Sequence, residues 1–250
     1  MMLPYSLELH ESCSSTMDLA KEWILQNPHS NQFHFIQAYT QGAGRGKRER
    51  VWVSEKGNFF ATLLMPFPFS MDKRGDMSFL IAVAMGEALK ELDPTLAVQY
   101  KWPNDIMLEK KKTGGILLEY LESESNRSFL SIGIGLNFTS HPPHIPSTCL
   151  KEHMNIFPSL EIFRDLLIQK IFHYYEIWVK DGFQRIRDLW LAHAVNRQEV
   201  IQISIGKEVI QGIFDTINDR GGLILICPNG MKRTFYTGEV FFDSENSYRN

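Results

Sequence analysis

From Glu199 to its end the chain changes character. VIQISI (200–205), VIQGIF (209–214), LILIC (223–227), TFY (234–236) and EVFF (239–242) follow one another, separated by turns that carry glycine. Short runs of β-branched and aromatic residues at this spacing read as strands rather than helices. About fifty residues of them predict a small β-barrel closing on itself. The barrel sets a boundary near Asn196, so the sequence divides into residues 1–195 and 196–250.

Upstream of that boundary, helical and strand patterns mix. Ser14, Ser15 and Thr16 supply caps for a helix from about Met17 to Gln26, which stops at Asn27-Pro28. SFLIAVAMGEALKEL (78–92) and LEIFRDLLIQKIFHYYEIWVKDG (160–182) have helical spacing, and FQRIRDLWLAHA (183–194) continues as helix. Strands are expected at Leu7–Leu9, 33–39, 58–65, 98–102, 106–108, 115–120 and 129–138. Residues 40–57 carry glycine and charge without periodicity and are expected as a long loop, as is the proline-rich stretch 139–158. Strands in hairpin-like succession predict an α+β fold, a mixed sheet packed with helices, rather than a doubly wound one.

The formal charge of -3 argues against a dedicated nucleic-acid binder, which carries a basic excess. Cys13, Cys149 and Cys227 are scattered, odd in number and in no CxxC spacing, which suggests a reducing compartment without disulfides or a zinc site. The N-terminus lacks a basic start and a long apolar run, and no window approaches a membrane span. The cytoplasm is the expected location.

Four stretches are rich in Gly, Lys, Arg, Asn or Asp and poor in core formers: QGAGRGKRER (41–50), KWPNDI (101–106), KKTGGILLE (111–119) and GIGLN (133–137). Taken singly, each has a plain structural explanation. GRGKRER sets two glycines and four cations within seven residues; it reads as a solvated basic loop or as an anion cradle. The dinucleotide fingerprint fails at Glu49, and no Gly-Lys-Ser/Thr of a P-loop exists. KWPNDI reads as a strand-ending turn, or as a turn whose Asn104 and Asp105 face a ligand. KKTGG reads as a charged hairpin turn, or as a lysine aimed at a carboxylate and a phosphate. The alternating glycines of GIGLN fit tight packing or the approach of a ligand. Ser14, Ser15 and Thr16 are first a helix cap, and a capped N-terminus also presents free N–H groups. His141 and His144 beside prolines do not make a metal site.

As an ordered set, with the Ser-Thr pair ahead of them, these stretches resemble the biotin–protein ligase family. GEVFF (238–242) resembles a recurring segment of the family's small C-terminal domain. The resemblance implies a class II synthetase-like catalytic domain followed by an SH3-like barrel. It also implies two half-reactions. Biotin's carboxylate attacks the α-phosphate of ATP, with Mg²⁺, to give biotinyl-5'-AMP and pyrophosphate; a lysine of a biotin carboxyl carrier protein then attacks the mixed anhydride. No zinc or redox cofactor is implied.

By the same resemblance Lys112 lies between carboxylate and α-phosphate as the catalytic cation, with Lys111 its rival, and Arg45 packs against the biotin site. Ser15, Thr16 and Gln41 match residues bonded to the ureido ring, and Gly44 and Gly115 allow close approach. Lys47, Arg48 and Arg50 match positions that reach the phosphates, and Trp52 one near adenine. Lys101, Asn104 and Asn137 match nucleotide positions, and Asp105 one linked to the metal. Glu49 stands where the family usually has Gly, Lys47 where Arg is common, and Met17 where Asn is frequent. The loop 42–56 is expected to order over the adenylate. The Ser-Thr motif starts so early that no winged helix, and so no operator DNA, is expected. Either a monomer or a homodimer through the sheet edge fits. A lipoate or octanoate ligase and a non-catalytic biotin sensor remain as alternatives.

Overall fold

The computed structural model describes residues 4–242. Its larger sheet has seven strands: β1 (Tyr5–His10), β2 (Phe33–Ala38), β3 (Phe59–Pro66), β4 (Val98–Lys101), β5 (Asp105–Leu108), β6 (Lys111–Glu122) and β7 (Ser128–Leu136). Their order is β1-β2-β3-β7-β6-β5-β4. β1 runs parallel to β2 and every other neighbour is antiparallel. The sheet is therefore mixed, as expected.

The interior strand β3, FFATLLMP, is buried along nearly its whole length. A strand covered on both faces reads as a continuous apolar run, and this one does. One face carries α2 (Asp76–Leu92), α3 (Leu160–Asp181) and α4 (Phe183–Leu191). α2 is apolar on almost every side and is buried accordingly. α3 begins at Ser159, whose hydroxyl accepts from the Ile162 N–H at 3.3 Å. It ends at Gly182, whose φ of 77° turns the chain directly into α4. Phe163, Leu167, Ile171 and Trp178 seat α3 against the core, and Phe79 meets Trp190 edge-on at 5.2 Å.

The other face is covered only in part. α1 (Thr16–Gln26) packs Ala20 and Ile24 on Ile36, Leu64 and Phe129. Beyond the N-terminal end of α1, the sheet surface is formed by the glycines of β6 and β7 and stays open.

Five further strands make a small antiparallel sheet: β8 (Val200–Ile205), β9 (Glu208–Ile217), β10 (Leu223–Ile226), β11 (Lys232–Phe235) and β12 (Glu239–Phe241), in the order β11-β10-β9-β8-β12. This fits the SH3-like unit expected there; the expected barrel segment 243–250 lies outside the described residues. Ile201, Ile203, Phe214 and Leu225 join the same hydrophobic core as the larger sheet. Trp102 donates its indole N–H to the Gly221 carbonyl at 2.9 Å, a buried link between the two units.

Two local expectations change. KKTGG is not a turn: β6 begins at Lys111, and the turn falls on Glu109 and Lys110, both with positive φ. Residues 44–52 are not an open loop. They fold back as a narrow hairpin, with Gly46 N–H on the Arg50 carbonyl and Trp52 N–H on that of Gly44, around a 3₁₀ turn at Lys47–Glu49. Glycines and charge carry no strand periodicity, so a pairing made only of backbone leaves little trace in the sequence. Among the described residues no helix is long and apolar enough to cross a membrane.

Candidate active site

The open part of the sheet is the floor of a cavity of about 670 Å³, within the range of small-molecule sites. Its walls come from the N-terminus of α1, the hairpin 44–52, the turn between β4 and β5, the loop 142–147 and β12.

At one end, hydroxyls and an amide form a chain. Ser15 caps α1 by accepting from the Met17 N–H at 3.3 Å. Gln41 Oε1 accepts from the Thr16 N–H at 2.9 Å and from the Thr16 hydroxyl at 3.2 Å. Thr62 donates to Thr16 Oγ1 at 2.8 Å, and Gln41 Nε2 donates to Ser54 Oγ at 3.0 Å. Ser15 and Thr16 are buried, so this end presents fixed polar groups rather than mobile ones. Thr62 and Ser54 escape sequence reasoning, because a lone Thr in an apolar strand and a Ser in a loop carry no signal.

The hairpin supplies cations. Arg45 donates from Nη1 to Asp18 Oδ1 at 2.5 Å, and its Nε lies 3.7 Å from Glu119. Arg48 and Arg50 both reach the Glu239 carboxylate of β12. Lys47 lines the cavity but makes no ion pair or side-chain hydrogen bond with the described residues. Protein packed around its ammonium pushes it down to about 8; Asp105 opposes the shift, and the Lys112 and Arg48 charges add to it. The residue is exposed at the rim, where water tempers the effect.

Lys112 and Asp105 sit on paired strands with a bulge between them. The bulge brings Lys112 Nζ to 2.7 Å from Asp105 Oδ1. Alternation along β6 settles which lysine faces inward: Lys112 lines the cavity, while Lys111 is exposed outside it. Trp52 lies across the floor, 5.5 Å from Lys112 Nζ to its ring centre. The floor beneath it is flat because Gly115 and Gly135 are register partners. A Cβ on Gly135 would lie 2.6 Å from the indole, and one on Gly115 3.1 Å. No side chain fits under the ring at Gly135. Gly135 and Gly133, which meets Met17 in the same way, are the floor residues behind the GIGLN pattern.

The remaining candidates also line the cavity, with one exception. Lys101 Nζ sits 4.6 Å over the Phe242 ring. Asn104 donates from Nδ2 to the Ile116 carbonyl at 2.6 Å, fixing the turn to β6. Asn137 is buried and donates to the Thr148 carbonyl at 3.1 Å, which ties β7 to the 142–153 loop. Gly44 stands behind the wall. A Cβ there would lie 2.5 Å from the Trp52 carbonyl oxygen, so its close approach is to the hairpin's own strand.

Two wall donors, Arg45 Nη2 and Trp52 Nε1, are buried without a partner among the described residues. A guanidinium nitrogen and an indole N–H left over suit a ligand with anionic or carbonyl oxygens. Among the described residues no three His, Cys, Asp or Glu converge to hold a metal. The cavity has two carboxylates, Asp105 beside Lys112 and Glu239 beside Arg48 and Arg50; a divalent cation there would need phosphate and water for its remaining ligands.

Residues 9–137 match the biotin/lipoate A/B protein ligase family and residues 198–243 the biotin protein ligase C-terminal domain. The chain is 33% identical to a biotin–[acetyl-CoA-carboxylase] ligase of Paracoccus denitrificans, over 83% of this chain and 90% of that one. It is 31% identical to the bifunctional ligase/repressor BirA of Bacillus subtilis strain 168, over 90% of this chain and 71% of that one. The biotin protein ligase of Aquifex aeolicus, solved with biotin and ATP, superposes with a TM-score of 0.79 at 22% identity, over 94% of this chain and 97% of that one. The chain therefore belongs to the biotin/lipoate A/B protein ligase family.

Proposed function

We propose that this cavity carries both half-reactions of biotin–protein ligation. The chain is a biotin–protein ligase: a biotin carboxylate oxygen attacks the α-phosphorus of ATP, pyrophosphate leaves, and the biotinyl-5'-AMP formed acylates a lysine of a biotin carboxyl carrier domain.

The observation that carries this reading is the ammonium of Lys112, held 2.7 Å from Asp105 in a wall that also gathers Arg45, Lys47, Arg48 and Arg50. A carboxylate and a polyphosphate repel each other, and fixed cations where they meet lower that barrier most. The hydroxyl and amide chain of Ser15, Thr16 and Gln41 holds the ureido ring. The glycine floor and Trp52 define the slot that orients the acyl chain and adenine, and Lys101, Asn104 and Asn137 bound the nucleotide side. Holding both reactants in line supplies a further large share of the rate. Asp105 would hold Mg²⁺ together with the phosphates, and the ion would supply further charge neutralisation there. The hairpin 44–52 shields the anhydride from water.

The test is ATP–pyrophosphate exchange with purified protein and Mg²⁺, offered biotin, lipoate or octanoate. Exchange driven by biotin, followed by labelling of a carrier domain, is the expected result. Exchange driven by lipoate or octanoate alone would move the chain to the sister activity, and exchange with none of the acids would leave a sensor.

A further inference from the structure

The cations of this cavity are partnered, with one exception. Arg45 is held by Asp18, Arg48 and Arg50 by Glu239, Lys112 by Asp105, and Lys101 lies over Phe242. Lys47 lines the same cavity, forms no ion pair with the described residues, and is the residue at the start of the hairpin's 3₁₀ turn. An arginine at this place would be inert towards an acyl donor, because its guanidinium keeps its proton. A lysine is a primary amine, the same functional group as the carrier's acceptor.

We infer that Lys47 is an internal acceptor, a lysine that the enzyme's own biotinyl-5'-AMP acylates in cis when no carrier is present. The inference rests on the reading of the cavity as a biotin ligase site. In the step, the neutral Nζ attacks the acyl carbonyl carbon of the mixed anhydride. A C–N bond forms, the C–O bond to the α-phosphate breaks, and AMP leaves with the electron pair. The amine's surplus proton passes to water. The product is a biotinyl amide at Lys47 and one AMP, with no further reactant.

The competing lysine of the wall does not meet the requirement. Lys112 is tied by its ion pair to Asp105 on the neighbouring strand, a contact it would have to give up to reach an acyl carbon. The Lys47 amine, by contrast, is pushed downward by the protein packed around it. An amine whose pKa falls by one has a neutral fraction about tenfold larger at neutral pH. Proximity does the rest, since a nucleophile tethered at the wall sees the anhydride at high effective concentration. The modification also exchanges a cation for a neutral amide inside the cavity. It therefore acts as a slow, self-limiting side reaction that the carrier suppresses by consuming the adenylate first.

The experiment supplies synthetic biotinyl-5'-AMP to the full chain without carrier and locates the label by peptide mass spectrometry, using a protease that does not depend on lysine. Because the adenylate is added, the outcome does not depend on whether the protein can activate biotin, which pyrophosphate exchange tests separately. The expected result is label on Lys47 about tenfold or more above the exposed Lys111, as a held reactant requires. It stops at one biotin per chain and is strongly reduced by an added carrier domain. Its rate should level off near pH 9, whereas labelling of an ordinary lysine climbs until about pH 10.4. K47R should remove that label and leave the background on Lys111. Label spread evenly over surface lysines, label concentrated at Lys112, or no label at all would each overturn the inference.

Discussion

Arg50 donates both terminal nitrogens to the Glu239 carboxylate, at 2.8 and 2.6 Å, across 189 residues of sequence. Arg48 approaches the same carboxylate at 3.4 Å. The small C-terminal sheet thereby grips the tip of the hairpin that roofs the cavity. A planar guanidinium on a carboxylate is a directional contact and fixes register as well as charge. Both arginines are exposed, however, so water screens the pair and its share of global stability is small, about 1 kcal/mol or less. The pair sets where the hairpin rests and has little influence on whether the protein folds.

Glu239→Gln should therefore free the hairpin without unfolding anything. Limited proteolysis within residues 45–53 should rise several-fold while the melting temperature stays within about 2 °C, as expected for a loss below 1 kcal/mol. Arg50→Ala should act in the same direction but less, because Arg48 still reaches Glu239, and the double variant should be no worse than Glu239→Gln alone. Additive increases in cleavage would show that the two side chains act separately.

Lys112→Ala should reduce biotin-dependent pyrophosphate exchange by about 10²–10³-fold, the usual cost of losing one group that meets developing charge. Lys111→Ala, on the opposite side of the strand, should change exchange less than twofold, a mutation away from the site being close to neutral (roughly ±0.5 kcal/mol). Asp105→Asn leaves the ammonium in place but unheld, so its loss should lie between these two. Equal losses for Lys111 and Lys112 would remove the distinction drawn from the strand's alternation.

How far the sequence reaches can be read from these two lysines. KKTGG supplies the residue types, and the family resemblance picks Lys112. The contact with Asp105, though, depends on a bulge in the β5–β6 pairing, and nothing in the local sequence marks it. The core strands and helices are legible because burial imposes periodicity: FFATLLM and SFLIAVAMGEALKEL have few alternatives. The hairpin is not, since glycines and cations pair there through backbone alone. Glu239 is equally silent. GEVFF matches a family segment as a strand, but its partner lies in a loop that only the assembled fold brings near. Asp18, which holds Arg45, looks in the sequence like an ordinary first-turn acid of α1.

The glycine floor predicts a steric lesion that spares the fold. In Gly135→Ala the new methyl would lie 2.6 Å from Trp52, a distance no packed pair tolerates, and the neighbour that must yield is an indole in the cavity. Binding of biotinyl-5'-AMP should weaken by about tenfold or more, consistent with an overpacking cost of about 1–3 kcal/mol. Calorimetric titration measures it. Trp52→Ala relieves the clash, so adding Gly135→Ala to that variant should cost much less. A full tenfold loss on the Trp52→Ala background would place the effect elsewhere.

Asp76 gives the pH dependence a definite sign. It opens α2, is buried, and accepts from the Trp178 indole N–H at 2.9 Å. Burial pushes its carboxyl up to about 6, with the Trp178 bond and Lys73 opposing the shift and Asp72 adding to it. A carboxyl raised in the folded state favours folding most at low pH. Its contribution is fully present below the unfolded value near 4 and is lost as pH climbs to about 6, beyond which it is constant. A rise from near 4 to about 6 corresponds to about 3 kcal/mol lost across that window. Asp76→Asn keeps an oxygen for the indole and cannot ionise. Urea titrations at about pH 4 to 7 should therefore show that the wild type gains less, or loses more, stability than the variant as pH rises through the window between the two values. By about pH 7 the variant should be the more stable of the two. Parallel pH profiles for the two proteins would mean that Asp76 is ionised in the folded state throughout, and that the Trp178 bond, rather than burial, controls it.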